Sequence, residues 1–116
     1  ADSTQGASLT ALLREFRTQL DAVKDELHTQ DLILSAALPA GQLYYGKPQL
    51  AQLHQYTDYI NLMTYNYTGS TVTGLNAPLY AASGDPAGTS NNADATVRAY
   101  VQAGVPIQKL ILGIPF

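Results

Sequence analysis

Apolar residues recur along the first part of the chain at three- and four-residue steps: Leu9, Leu12, Leu13, Phe16, Leu20, Val23 and Leu27. This spacing gathers them on one stripe of an amphipathic helix of about five turns. Arg14, Arg17, Lys24 and Asp25 fall outside the stripe. Ser8 stands where an N-cap belongs, and the polar ADSTQGA before it reads as a frayed end. The pattern then changes. LILSAAL (32–38) is short, continuous and apolar, and Pro39 and Gly41 stop it. A strand buried on both faces has this character.

A short helix is predicted over 48–56, then a second strand from Tyr59 to Tyr65. Residues 66–89 carry Gly69, Gly74, Pro78, Gly84, Pro86 and Gly88 and read as one long loop. Loops beyond about 15 residues are uncommon unless they serve a function. A helix from Asn91 to Gln102 follows, with Gly104 as its stop and Pro106 just beyond. KLILGIPF (109–116) is the third buried strand. Helices thus alternate with strands, and helical crossovers imply an α/β fold with a parallel sheet and right-handed connections.

Composition narrows the function. Hydrophobic residues make up 46% of the 116, enough for a core, but charged residues only 13%. An independent soluble domain has about a quarter, so much of this surface is expected to be covered. The net charge of −3, with six basic residues scattered along the chain, gives no footprint for nucleic acid or an anionic membrane. No apolar stretch approaches a membrane span, and the N-terminus is no signal peptide. The absence of cysteine excludes disulfides, thiolate metal sites and a cysteine nucleophile.

In parallel α/β folds ligands bind at the carboxyl ends of the strands. Those ends are Ala37-Leu38-Pro39, Tyr65-Asn66 and Pro115-Phe116, and the long loop leaves from the second. A site there offers a phenol, an amide and apolar walls, which suits a sugar amide. Tyr65 can donate to a carbonyl oxygen, and Asn66 can both donate and accept. Met63, two residues before Tyr65, points to the same side of the strand. The plainer reading is equally open for Tyr65 and Asn66, which would end a strand, Asn as a turn former; Met63 by itself reads rather as core filler. His28 and His54 are isolated and read as surface or cap residues. The carboxylates Glu15, Asp21, Asp25 and Glu26 read as the solvated face of the first helix. Asn66-Tyr67-Thr68 matches an N-glycosylation acceptor, a pattern common by chance. A glycan there would block the proposed site.

With these residues in view, the chain resembles part of a glycoside hydrolase family 18 chitinase. The segments that carry the resemblance are LILSAALPAG (32–41), YINLMTYN (59–66), TGLNAPLY (73–80) and VRAYVQAGVPIQKLILGIPF (97–116), in the family's order. The first helix, LTALLREFRTQLDAV, fits as well. The resemblance implies a (β/α)8 barrel, of which residues 1–116 would be a fragment of the single catalytic domain: the helix after strand four, then strands five to seven with their helices. It implies hydrolysis of the β-1,4-N-acetylglucosamine linkages of chitin with retention, the substrate's own acetamide acting as nucleophile through an oxazolinium ion. In that scheme the tyrosine of Met-x-Tyr-Asp, matched by Tyr65, bonds the acetamide carbonyl. Met63 lines the sugar subsite, and the small Ala37 leaves room for the acetyl group. Asn66 replaces the family's aspartate, and Leu75 stands where many members have histidine.

The resemblance implies no metal or organic cofactor, and secretion, because chitin is extracellular. The acid motif D-x-x-D-x-D-x-E and the strand-eight tryptophan are absent from this chain. A barrel takes about 250 residues, so the expected partners are chitin or chitooligosaccharides and the remainder of the barrel. Without the acid the chain is expected to be inactive alone. Two other readings stay open: a non-catalytic, lectin-like chitin-binding relative, and a self-contained small α/β domain.

Overall fold

The computed structural model describes residues 3–41, 48–68, 72–86 and 89–116. Gly69, Gly88 and the first two residues of the expected frayed end lie outside them. Among the described residues three helices and three strands alternate: α1 (Ser3–Leu27), β1 (Ser35–Pro39), α2 (Leu50–Leu53), β2 (Tyr59–Met63), α3 (Ala93–Gln102) and β3 (Leu110–Leu112). A 3-10 turn, Ile107–Lys109, leads into β3. The strands form one parallel sheet in the order β1-β2-β3. This is the expected α/β alternation, a part of a (β/α)8 architecture.

The register fixes what each face of the sheet carries. Ile60 pairs with Ala36 and Leu110, and Leu62 with Leu38 and Leu112. The buried members of these rows, Leu38, Ile60 and Leu62, pack with Leu13 of α1, Leu50 and Leu53 of α2, Tyr100 of α3 and Val105. Side chains of successive strand residues point to opposite faces, so the alternate row, Ala37, Asn61 and Ile111, faces away from the helices. There Ala37 and Ile111 are exposed, and Asn61 and Met63 are half-buried. Among the described residues the strands are therefore not buried on both faces as expected: the helices cover Leu38, Ile60 and Leu62 but leave Leu112 exposed, and the opposite row is open at Ala37 and Ile111.

The α1 stripe is also only partly covered. Leu13 is buried and Leu9 and Leu20 are half-buried, but Leu12, Phe16, Val23 and Leu27 are exposed. A polar clamp holds this helix to the sheet. The Arg17 guanidinium donates to the Leu32 carbonyl at 2.9 Å and to the Asp58 carboxylate at 3.2 Å. The same carboxylate accepts from the Leu34 N–H at 2.7 Å, and the Asp58 N–H donates to the Leu34 carbonyl at 2.8 Å. Asp58 immediately precedes β2, so the clamp sits at the amino end of the sheet.

Several boundaries move for local reasons. Helix α1 begins five residues before Ser8, and the Ser8 hydroxyl donates back to the Thr4 carbonyl at 3.0 Å instead of capping. At its other end His28 lies in the left-handed region at φ 50°. The His28 and Thr29 N–H groups donate to the carbonyls of Asp25 and Lys24, the paired bonds of a Schellman closure. Helix α2 is one turn, and Lys109 donates from its ammonium to the carbonyls of His54 and Thr57, both at 2.7 Å. Both histidines thus lie at helix ends, as expected. Helix α3 starts at Ala93 rather than at Asn91, and Asn92 is its N-cap.

Candidate active site

The sequence places its candidate residues at the carboxyl ends of β1 and β2, and the register brings them side by side. Ala37 pairs with Asn61, and Pro39 with Met63. Ala37 and Met63 are therefore diagonal neighbours on the face away from the helices. Burial continues to alternate past the end of β2: Leu62 and Thr64 are buried, Met63 and Tyr65 half-buried. Tyr65 thus continues the Met63 row, although β2 ends at Met63 rather than at Tyr65.

The backbone tightens where the strand ends. Thr64 N–H donates to Leu62 O and Tyr65 N–H to Met63 O, both at 2.9 Å. Asn66 then takes φ 59°, in the left-handed region, which asparagine tolerates better than most side chains. Its turn-forming role is thus visible in the backbone, and its side chain leaves the strand row exposed to solvent. Pro115 and Phe116 do not end a strand, because β3 stops at Leu112.

Four residues that the sequence reading did not single out position this end of the sheet. The buried Thr64 hydroxyl donates to the Gly113 carbonyl at 2.7 Å, and Gly113 N–H donates to Leu62 O at 2.9 Å. A Cβ on Gly113 would lie 2.5 Å from Leu62 O and 3.0 Å from Cε1 of the Tyr65 ring. A glycine inside an apolar run marks close approach of another group, and that signal was present in LILGIPF. The other two are tyrosines. Tyr100, fully buried, donates from its phenol to the Pro39 carbonyl at 2.8 Å. Tyr67, also buried, has its hydroxyl 2.7 Å from that of Thr96 on α3.

The described part of the long loop is fastened to the same region. Tyr67 N–H donates to Asn76 O at 3.1 Å, and the Thr68 hydroxyl to Leu75 O at 2.8 Å. Gly74 sits so close to Thr68 that a Cβ there would lie 2.9 Å from its hydroxyl oxygen. The loop then closes the start of α3. The carbonyls of Pro78 and Leu79 accept from the N–H groups of Ala93 and Asp94 at 2.9 and 3.0 Å. These are first-turn donors that the helix itself leaves unpaired. Asn92 caps the same turn, its Oδ1 accepting from Ala95 N–H and its Nδ2 donating to Thr89 O, both at 2.8 Å.

The site end carries no formal charge on Ala37, Met63, Tyr65 or Asn66. The ion pairs among the described residues lie elsewhere. At the end of α1, the hydrogen bond from Lys24 and then its charge hold the Asp31 carboxyl below the usual carboxylate range. On α3 the hydrogen bond to Asp94 raises the Arg98 guanidinium. Among the described residues no group of three His, Asp or Glu could hold a metal ion. None of the described helices is long and apolar enough to cross a membrane.

The arrangement can present a phenol O–H and a thioether beside a small residue on an open sheet face. A profile of the family described as "Glycosyl hydrolases family 18" matches residues 2–116. Chitinase 1 of Aphanocladium album is 41% identical over 118 aligned positions, covering 99% of this chain and 28% of that protein. The family 18 N-acetylglucosaminidase of Paenibacillus barengoltzii superposes with a TM-score of 0.88 at 34% identity, over 97% of this chain and 33% of the other. Catalytic domain 2 of the Group II chitinase of Ostrinia furnacalis, a mutant in complex with (NAG)5, gives 0.87 at 27% identity, over 100% of this chain and 29% of the other. The chain therefore spans about a third or less of each of these proteins.

Proposed function

The chain belongs to glycosyl hydrolase family 18, and from that premise we propose that it forms part of the catalytic (β/α)8 barrel of a secreted chitinase. The observation that carries this reading is the placement of Tyr65 and Met63 on the open face of β2, beside Ala37 of β1. In this reading the open face is the barrel interior. The remaining strands cover it, together with the exposed Ile111, Ile114 and Phe116.

The reaction is retaining hydrolysis of β-1,4-N-acetylglucosamine linkages with the substrate's acetamide as nucleophile. A carboxylic acid from outside these 116 residues protonates the leaving oxygen. The acetamide oxygen attacks the anomeric carbon, the glycosidic C–O bond breaks, and an oxazolinium ion results. Water then opens that ion. Tyr65 donates its phenol proton to the acetamide carbonyl oxygen and holds the group in line for attack. Met63 packs against the sugar, and Ala37, with only a methyl group, leaves the volume that the acetyl group fills. Asn66 keeps one acceptor oxygen of a carboxylate, has an N–H2 donor in place of the other, and carries no charge, so it does not raise the acid's pKa by repulsion.

The test is the anomeric configuration of the first product. The complete enzyme is mixed with a chitooligosaccharide and followed by proton NMR before mutarotation. The β-anomer is expected. The α-anomer would contradict the mechanism, and binding without hydrolysis would favour a lectin-like protein.

A further inference from the structure

Tyr65 can act on a substrate only if its ring is held in one place, and no hydrogen bond within β2 does that. The strand ends at Met63, two residues earlier. What meets the ring is β3's continuation. Gly113 lies against the ring edge so closely that a Cβ would come within 3.0 Å of Cε1, while also striking Leu62 O at 2.5 Å. Real Cβ atoms essentially never approach a carbonyl oxygen that closely. Gly113 is fixed there by two bonds, one to β2 and one to the residue just after it. Its N–H donates to Leu62 O at 2.9 Å, and its carbonyl accepts from the Thr64 hydroxyl at 2.7 Å. Thr64 itself is 2% exposed, and the other acceptor near its hydroxyl, the Leu62 carbonyl, is 3.5 Å away.

We propose that Thr64 and Gly113 are positioning residues for Tyr65: the hydroxyl-to-carbonyl bond clips the end of β3 to the end of β2, and the bare Cα of Gly113 forms the wall against which the Tyr65 ring stands. This rests on the role given to Tyr65 above and adds the device that sets its geometry. The dependence has a direction. Loss of the Thr64 hydroxyl leaves the Gly113 carbonyl without its partner and lets the two strand ends separate. A methyl group at Gly113 pushes the ring toward the space the acetamide occupies. Either change displaces the phenol oxygen without altering its chemistry.

The test uses the complete enzyme and four substitutions, Tyr65→Phe, Thr64→Val, Thr64→Ser and Gly113→Ala. The middle two and the last are made alone and in the Tyr65→Phe background, and kcat and KM are measured separately on a chitooligosaccharide. Misplacing a positioned group by ~1 Å costs about a hundredfold, so Thr64→Val and Gly113→Ala should each lower kcat by about tenfold to a hundredfold. Thr64→Ser, which keeps the hydroxyl, should restore it. In the Tyr65→Phe background none of them should lower kcat further, because the group they position is gone. Thr64→Val is close to isosteric and carries the test even where Gly113→Ala fails to fold. Full kcat in Thr64→Val, or the same loss with and without the Tyr65 hydroxyl, would overturn the inference while leaving Tyr65's role standing. An unchanged kcat in Tyr65→Phe alone would remove both.

Discussion

The Tyr100 phenol lies 2.8 Å from the carbonyl oxygen of Pro39, a residue 61 positions earlier in the chain. Tyr100 is on α3, the helix between β2 and β3, and Pro39 is the last residue of β1. One fully buried side chain therefore passes from the helix layer to the carboxyl end of the first strand, where Ala37 and Met63 meet. Its ring belongs to the core and its hydroxyl serves the site end, a division that buried tyrosines commonly show.

Tyr100→Phe should keep the ring packing and leave the Pro39 carbonyl without this donor. The expected loss is about 1–2 kcal/mol, the cost of an unmade bond to a partly buried acceptor. Urea denaturation of the complete protein with an unchanged m-value would measure it.

The Arg17–Asp58 clamp is at the other end of the sheet. Asp58→Ala removes the acceptor for both Arg17 and the Leu34 N–H. Asp58 is partly exposed, so solvent screens the charge contribution. A loss of about 1–2 kcal/mol is expected, mostly from the backbone bond. The catalytic rate should stay at the parent value at a temperature where the protein is folded. A lowered midpoint with an unchanged kcat would confirm that this end carries stability only.

Asn92→Ala should destabilise α3 and loosen the long loop together, because the one amide serves both. Loss of an N-cap costs about 1–2 kcal/mol. Hydrogen exchange should show faster exchange at Ala95 N–H and at the loop-bonded Ala93 and Asp94 N–H groups. Exchange confined to Ala95 would show that the loop is held independently.

Asn66→Asp places a carboxylate three residues beyond the end of β2. A negative charge near the acid disfavours that acid's ionised form and raises its pKa. The alkaline limb of the pH–rate profile, where the acid loses its proton, should therefore move to higher pH. A profile that superposes on the parent's would show that Asn66 does not face the acid.

The sequence made the alternation of elements readable because the first and third strands are short apolar runs closed by glycine or proline, the second stops on Tyr65-Asn66, and α3 is followed by Gly104 and Pro106. The boundaries were harder. The start of α1 is polar and carries no apolar period, so a helix beginning at Ser3 looked like a frayed end. The apolar run of LILSAAL hid the difference between its two parts. Leu34 is bonded to Asp58, and laddered pairing begins only at Ser35. A continuous apolar run also does not say which face is covered, and here the register alone separates the packed row of Ile60 and Leu62 from the open row of Asn61 and Met63.

The candidate site was readable as residue types at a strand end. The bonds that organise it were not. Thr64 to Gly113, Tyr67 to Thr96 and Tyr100 to Pro39 join positions 49, 29 and 61 residues apart. No local pattern encodes such pairs. Only the glycine in LILGIPF hinted at one of them, by standing where an apolar strand has no local need for it.

The most direct measurement is kcat for Tyr65→Phe in the complete enzyme, on a chitooligosaccharide, beside the parent. The substitution keeps the ring against Gly113 and removes only the phenol oxygen. If Tyr65 holds the acetamide as it attacks, kcat should fall by about a hundredfold to a thousandfold, the usual loss of a donor aimed at developing charge, with KM changed far less. A parent-like kcat would contradict the assignment of this strand end as the acetamide site.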